Sequence, residues 1–249
     1  MSSEAPTAPI PPAQEAGGGA VSRLFRVFTE PTAVFHELAA TPTWVPPLVF
    51  VLVLSVAMQL VVGPRLDMEG TVRQSIAERS QSGQEMSDEQ MDRMVEMGSK
   101  TGRIMQWLTP VTVPVVFLIL AGVYLLGLKA VGSGAEFKPV FATVLHANVP
   151  AAVLSSAVLA LTAVRRATFT AQELEGMVRS NLGAFLPDTV PKPLVAFARV
   201  IDVFNIWQWI LLAIGLTIVG KVSRGKVVGV LAVVWGVWAL GKMGLAALQ

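Results

Sequence analysis

The 249-residue chain is 53% hydrophobic and only 14% charged, where a soluble domain carries roughly a quarter charged residues, so its apolar residues need a solvent other than water. Its formal net charge of +2 is too small to point to a nucleic-acid partner. With no cysteine, it has no disulfide, zinc-thiolate or thiol chemistry.

Residues 1–20, MSSEAPTAPIPPAQEAGGGA, are rich in Pro, Ala and Gly and are expected to form a disordered tail. They lack the apolar core of a signal peptide. In SRLFRVFTEPTAVFHELAATPTW, Phe25, Phe28, Phe35 and Leu38 are interleaved with Arg23, Arg26 and Glu37, which predicts short amphipathic helices lying at the membrane surface. Trp44 and the pair Pro46-Pro47 mark entry into a first span, because Trp favours the interface and Pro is tolerated in a first helical turn.

Runs 38–64, 104–128, 139–164 and 203–220 contain no Asp, Glu, Lys or Arg, and run 227–249 contains only Lys242. A bilayer-crossing helix needs about 20 mostly apolar residues, so spans are predicted at about 44–63, 106–129, 140–164, 200–220 and 227–247. A closed β-barrel needs alternating polarity, and VVFLILAGVYLLGL has none. The expected fold is all-α: a polytopic membrane helix bundle of five transmembrane helices with two helical extramembrane segments, residues 1–22 being the tail and 23–249 the membrane domain.

The first extramembrane segment, 65–103, holds six basic and eight acidic residues. Within it SDEQMDRMVEM predicts a helix opened by a Ser87/Gln90 capping box, with Met91, Met94 and Val95 on one face. Five of the ten Met fall between 86 and 105. Such a stripe can mark an adaptable binding groove; packing against the membrane domain is the expected role. In the second segment, 165–192, Thr170 and Glu173 form another capping box opening a helix to about residue 182, and Pro187, Pro191 and Pro193 end helical structure. KVSRGK joins spans four and five in a tight hairpin. With the N-terminus in the cytoplasm, the cytoplasmic short loops hold Arg23, Arg26, Lys129, Lys138, Lys221, Arg224 and Lys226, as the positive-inside rule asks; Arg165 and Arg166 lie on the opposite side.

Familiar chemistry is missing. GLTIVGKV and GVWALGKM match the glycine–lysine part of a phosphate loop, but Val222 and Met243 stand where Ser or Thr is required, and both lie at the ends of apolar helices. Ser133 sits in a short loop, His36 and His146 form no zinc motif, and Asp202 has no carboxylate partner near a span. No catalytic group, cofactor or metal site is predicted, and the expected protein is not an enzyme. The candidate residues are polar ones in or beside spans, where polarity is costly. His146, Asn148 and Ser155 lie in span three, with Asn148, Ser155 and Thr162 seven residues apart. Arg199, Asp202 and Asn205, spaced by three, are expected to form one polar patch on the helix of span four, with Trp207 and Trp209 at the interface one turn on. Asp202 and Asn205 are expected to fasten that span to a neighbour or to the preceding segment. Helix packing is the favoured role of the span-three stripe, and a polar pathway for ions or protons is the alternative.

IDVFNIWQWILLAIGL, FKPVFATVLHANVPAAVL and EPTAVFHELAATPTWVPP together resemble the Yip family of five-span membrane proteins, in its bacterial branch. The likeness covers about residues 25–248 and is strongest at Asp202, Phe204, Ile206 and Trp207. The resemblance implies a cytoplasmic N-terminus, five helices, no established enzymatic activity and residence in a bacterial inner membrane. Eukaryotic members bind small Rab-type GTPases, and no GTPase-contacting residue can be placed in this chain. The expected role is a membrane adaptor or organiser, with the lipid bilayer and a membrane-protein partner or second copy as its neighbours. A transporter or channel component is the alternative.

Overall fold

The computed structural model describes residues 19–80, 87–187 and 189–247. The predicted tail therefore falls, up to residue 18, outside the described residues. Among those described there are ten α-helices and no β-strand. Five helices are long and apolar enough to cross a bilayer: α3 (Val45–Val62), α5 (Asp88–Ala130), α6 (Phe137–Ala163), α9 (Val203–Gly220) and α10 (Arg224–Ala247). Five crossings place the two ends of the bundle on opposite sides. The near side carries α1 (Ser22–Thr29), α2 (Pro31–Ala40) and the turns from α5 to α6 and from α9 to α10. The far side carries α4 (Met68–Ser80), α7 (Ala171–Met177), α8 (Lys192–Val200) and the C-terminus.

The near-side pair does not lie flat on the membrane surface, as its amphipathic pattern predicts. Val34, Phe35 and Leu38 of α2 are completely buried. The Phe35 ring seats against Gly215 of α9, where an added Cβ would stand 2.5 Å from Thr143 and 2.9 Å from the ring. Phe28 meets Trp207 edge-on at 6.2 Å, so the pair enters from the near side and dips into the bundle along α9 as far as its N-terminal third. An amphipathic face demands apolar company, and here protein supplies it rather than lipid. The polar faces are joined by ions: Glu37 accepts from Arg23 Nε at 2.9 Å and from Arg26 Nη1 at 2.8 Å. Arg23 also donates to the Thr41 carbonyl oxygen and to Thr43, both at 3.0 Å. Burial alone would push the Glu37 carboxyl up; the bonds from Arg26 and Arg23 outweigh it and hold the group below its ordinary value.

The near-side turns are tied down as well. Ser133 donates its hydroxyl to the Gly220 carbonyl oxygen at 2.6 Å and accepts from the Ala135 amide at 3.1 Å, so this buried serine closes a loop against a helix end. Lys221 takes the left-handed conformation (φ 50°) that ends α9, and Lys226 donates to the Val131 carbonyl oxygen at 2.9 Å.

On the far side, the charged helix after Ser87 and the second span are one 43-residue helix, α5, about 65 Å long. The Ser87/Gln90 capping box opens it. Its first 16 residues precede the charge-free run that begins at Ile104 and stand roughly 24 Å clear of it. The helix α4 packs antiparallel on this overhang: Val72 presses on Gly98, whose added Cβ would meet its methyls at 3.0 Å, and Met68 does the same at Gly102. Arg73 faces Asp92 at 3.6 Å. On this overhang Val95 is buried, whereas Met94 and Met97 are exposed, Met97 by 70%, so the methionine stripe does not serve as the packing face that the sequence suggests. The two far-side segments are also joined to each other. Phe169 donates to the Arg65 carbonyl oxygen at 3.0 Å, and the Asp67 amide to that of Phe169 at 2.8 Å. The Ala171 amide donates to Thr71 Oγ1 at 3.0 Å.

Span four begins at Val203, not at residue 200. α8 ends at Val200, and Asp202 caps a new helix by accepting the amides of Phe204 at 2.8 Å and Asn205 at 3.2 Å. Arg199 and Asn205 therefore stand on different helices, and the continuous Arg199–Asp202–Asn205 patch does not form. Trp207 and Trp209 are packing residues rather than free interfacial anchors: Trp209 meets Trp235 of α10 at 5.3 Å, and Phe197 of α8 meets the same indole at 5.7 Å.

Candidate functional site

The bundle opens on its far side into a cleft of about 640 Å³ with both polar and apolar side chains on its walls, within the range of about 300–1,000 Å³ usual for ligand pockets. Its walls are the later turns of α3 and α6, the first turns of α9, Thr109 of α5 and the strip around Ser180 that follows α7. The sequence makes this opening by placing polar side chains at the far-side ends of three apolar helices that pack tightly at their other ends.

Four of the six candidate residues line it: Asn148, Ser155, Asp202 and Asn205. Asn148 accepts at Oδ1 from Gln208 Nε2 at 3.1 Å, joining α6 to α9. Ser155 turns its hydroxyl back to the Ala151 carbonyl oxygen at 2.7 Å. Asp202, besides capping α9, accepts from the Ser180 hydroxyl, and backbone bonds from Val203 to Ser180 and from Leu182 to Ile201, at 3.1 and 3.0 Å, hold the strip against the start of α9. Asn205 makes no side-chain hydrogen bond among the described residues.

The other two candidates lie elsewhere. Arg199 donates to Glu175 at 3.1 Å, on the exposed side of the cleft wall. His146 is 0% exposed; its Nδ1 lies 2.8 Å from the Ala142 carbonyl oxygen, and Nε2 has no partner among the described residues.

Gln59 and Gln208 also line the cleft and are absent from the sequence-based candidates. Gln208 belongs to the same polar opening of span four as Asn205. Gln59 is the single carboxamide in the apolar α3, which was the signal available; its amide nitrogen is buried with no hydrogen-bond partner among the described residues.

The floor of the cleft is closed. One turn toward the near side from Asn148 and Gln208 come Val144 and Leu145 of α6 and Leu211 and Leu212 of α9, all between 0 and 2% exposed, with Phe35 of α2 wedged beyond them. The polar lining ends against packed hydrocarbon. No group of three or more His, Cys, Asp or Glu side chains placed to hold a metal occurs among the described residues; the Ser180 hydroxyl donates to Asp202 in the cleft wall, with no histidine in the lining.

The model of the Yip1 domain matches residues 25–246. The chain is also similar to the membrane protein YknW of Bacillus subtilis (strain 168), with 26% identity over 207 residues that cover 81% of this chain and 80% of that one. No solved structure matches.

Proposed function

The chain belongs to the Yip family of membrane proteins, and from that premise we propose that it is a non-enzymatic membrane adaptor or organiser that meets its partner on the far side. The observation that carries the reading is the overhang of α5 with α4 packed on it, and the bonds of Phe169 and Ala171 to Arg65, Asp67 and Thr71 at the start of α4. Connecting spans requires only short turns, as between α9 and α10; this chain instead builds a braced helical arm. Met94 and Met97 are exposed along it, and flexible thioether side chains adapt to partners of varied shape.

The alternative, a transporter or channel component, draws on the cleft, which spans three and four line with polar groups. The packed floor beneath Asn148 and Gln208 favours the adaptor. Purified protein in sealed vesicles tests the choice. Proton and monovalent-ion flux should equal that of protein-free vesicles; a flux that Asn148→Leu abolishes would replace the adaptor with a conduit.

A further inference from the structure

We propose that the far-side cleft is a binding site for an uncharged, hydroxyl-rich headgroup of the carbohydrate type. The chemistry of the walls sets the ligand class. Four carboxamide residues line the cleft from three helices: Gln59 of α3, Asn148 of α6, and Asn205 and Gln208 of α9. Only one bond among them is made internally, from Gln208 to Asn148. The Asn148 amide nitrogen, the Gln208 carbonyl oxygen and the whole Asn205 amide remain unspent among the described residues; Gln59 Nε2 is instead buried against Gly63, beside Gln106, and does not face the opening. Each carboxamide offers a donor beside an acceptor, the pattern that adjacent hydroxyls satisfy, since each hydroxyl both donates and accepts.

Charge narrows the choice. No Lys or Arg lines the cleft, so an anion finds no counter-charge. The two carboxylates at its rim are already engaged, Asp202 by two backbone amides and Ser180, and Glu175 by Arg199, so a cation finds no free one. The carboxamides of the cleft stand on the candidate spans α3, α6 and α9, where unspent polar groups are costly, and its floor is closed. A site of this kind holds a ligand rather than passing it. Met58, Val62 and Phe204 add apolar wall for the C–H face of a sugar ring or the root of an acyl chain.

The test uses the full chain in phosphatidylcholine nanodiscs, titrated with radiolabelled glucosyl-diacylglycerol, maltose or ethanolamine. Saturable retention of the glycolipid is expected, and Asn205→Leu should weaken it tenfold or more. Because the Asn205 side chain holds no internal bond, this variant keeps the fold, which an unchanged melting temperature checks. Thr217→Val, on α9 but outside the cleft, should bind as the unsubstituted protein does. Retention of the glycolipid alone identifies a lipid-borne headgroup, and retention of maltose as well identifies a free sugar. Retention of neither sugar, retention indifferent to Asn205→Leu, or retention of ethanolamine in their place overturns the proposal.

Discussion

Gln208 on α9 donates its side-chain amide to the Asn148 oxygen on α6 at 3.1 Å, a bond between two spans within the cleft wall. Interhelical hydrogen bonds in membrane proteins average about 0.6 kcal/mol and reach about 1.7 kcal/mol, because the unfolded chain in lipid also finds partners. A double-mutant cycle of Asn148→Leu and Gln208→Leu, read by unfolding in mixed micelles, should give a coupling of about 0.6–1.7 kcal/mol. Strictly additive effects would show that the two amides act independently.

The close seat of Phe35 on Gly215 predicts a steric penalty. A Cβ at residue 215 would stand 2.5 Å from the Thr143 methyl and 2.9 Å from the Phe35 ring, and both neighbours are completely buried. Gly215→Ala should lower stability by about 1–3 kcal/mol, the usual cost of overpacking, and Phe35→Leu in the same chain should restore part of it. A Gly215→Ala protein as stable as the parent would mean that α2 is not wedged against α9.

Glu37 predicts an acid-sensitive near side. Its folded-state pKa is depressed, so the stabilisation is present above the unfolded-state value of about 4.3 and is lost as the pH falls through the lower folded value. The melting temperature of the parent protein should therefore drop from about pH 5 to pH 3 more steeply than that of Glu37→Gln, and the variant should be the less stable of the two at neutral pH. Parallel pH profiles would contradict this.

The positive-inside rule predicts that the near-side turns, which carry Lys129, Lys138, Lys221, Arg224 and Lys226, face the cytoplasm. Reporter fusions after Gly134 and after Gly225 should report cytoplasm, and a fusion at the C-terminus the opposite compartment. A C-terminus in the cytoplasm would contradict the arrangement.

How much of this was legible depends on whether a feature is local. Freedom from charge over some twenty residues is a local property, so the spanning helices lie close to where hydropathy puts them. The continuity of α5 is hidden because the change at Ile104 from charged to apolar sequence is a change of solvent, which leaves the backbone conformation alone. The break at Ile201 is hidden for the converse reason. Val200, Ile201 and Val203 continue an apolar pattern, while Asp202 spends its carboxylate on the amides of the next helix. For α2, apolar periodicity says that Val34, Phe35 and Leu38 avoid water and is silent on whether lipid or α9 covers them. In the cleft, the recurrence of Asn148 and Ser155 on one helix face points to a shared wall. Gln59 has no such partner on α3, and only the packing of α3 on α6 brings it there.

The central claim, that the far-side arm meets a protein partner, is tested most directly by a photo-crosslinking amino acid placed at residue 97 in living cells. Met97 is 70% exposed on the overhang, and Leu126, 71% exposed on the spanning part of the same helix, serves as the lipid-facing control. Illumination should join the probe at residue 97 to a defined protein, another chain or a second copy of this one, while the probe at residue 126 yields lipid adducts alone. A probe at residue 97 that forms no protein adduct, in cells where the protein is inserted and folded, would contradict the adaptor account.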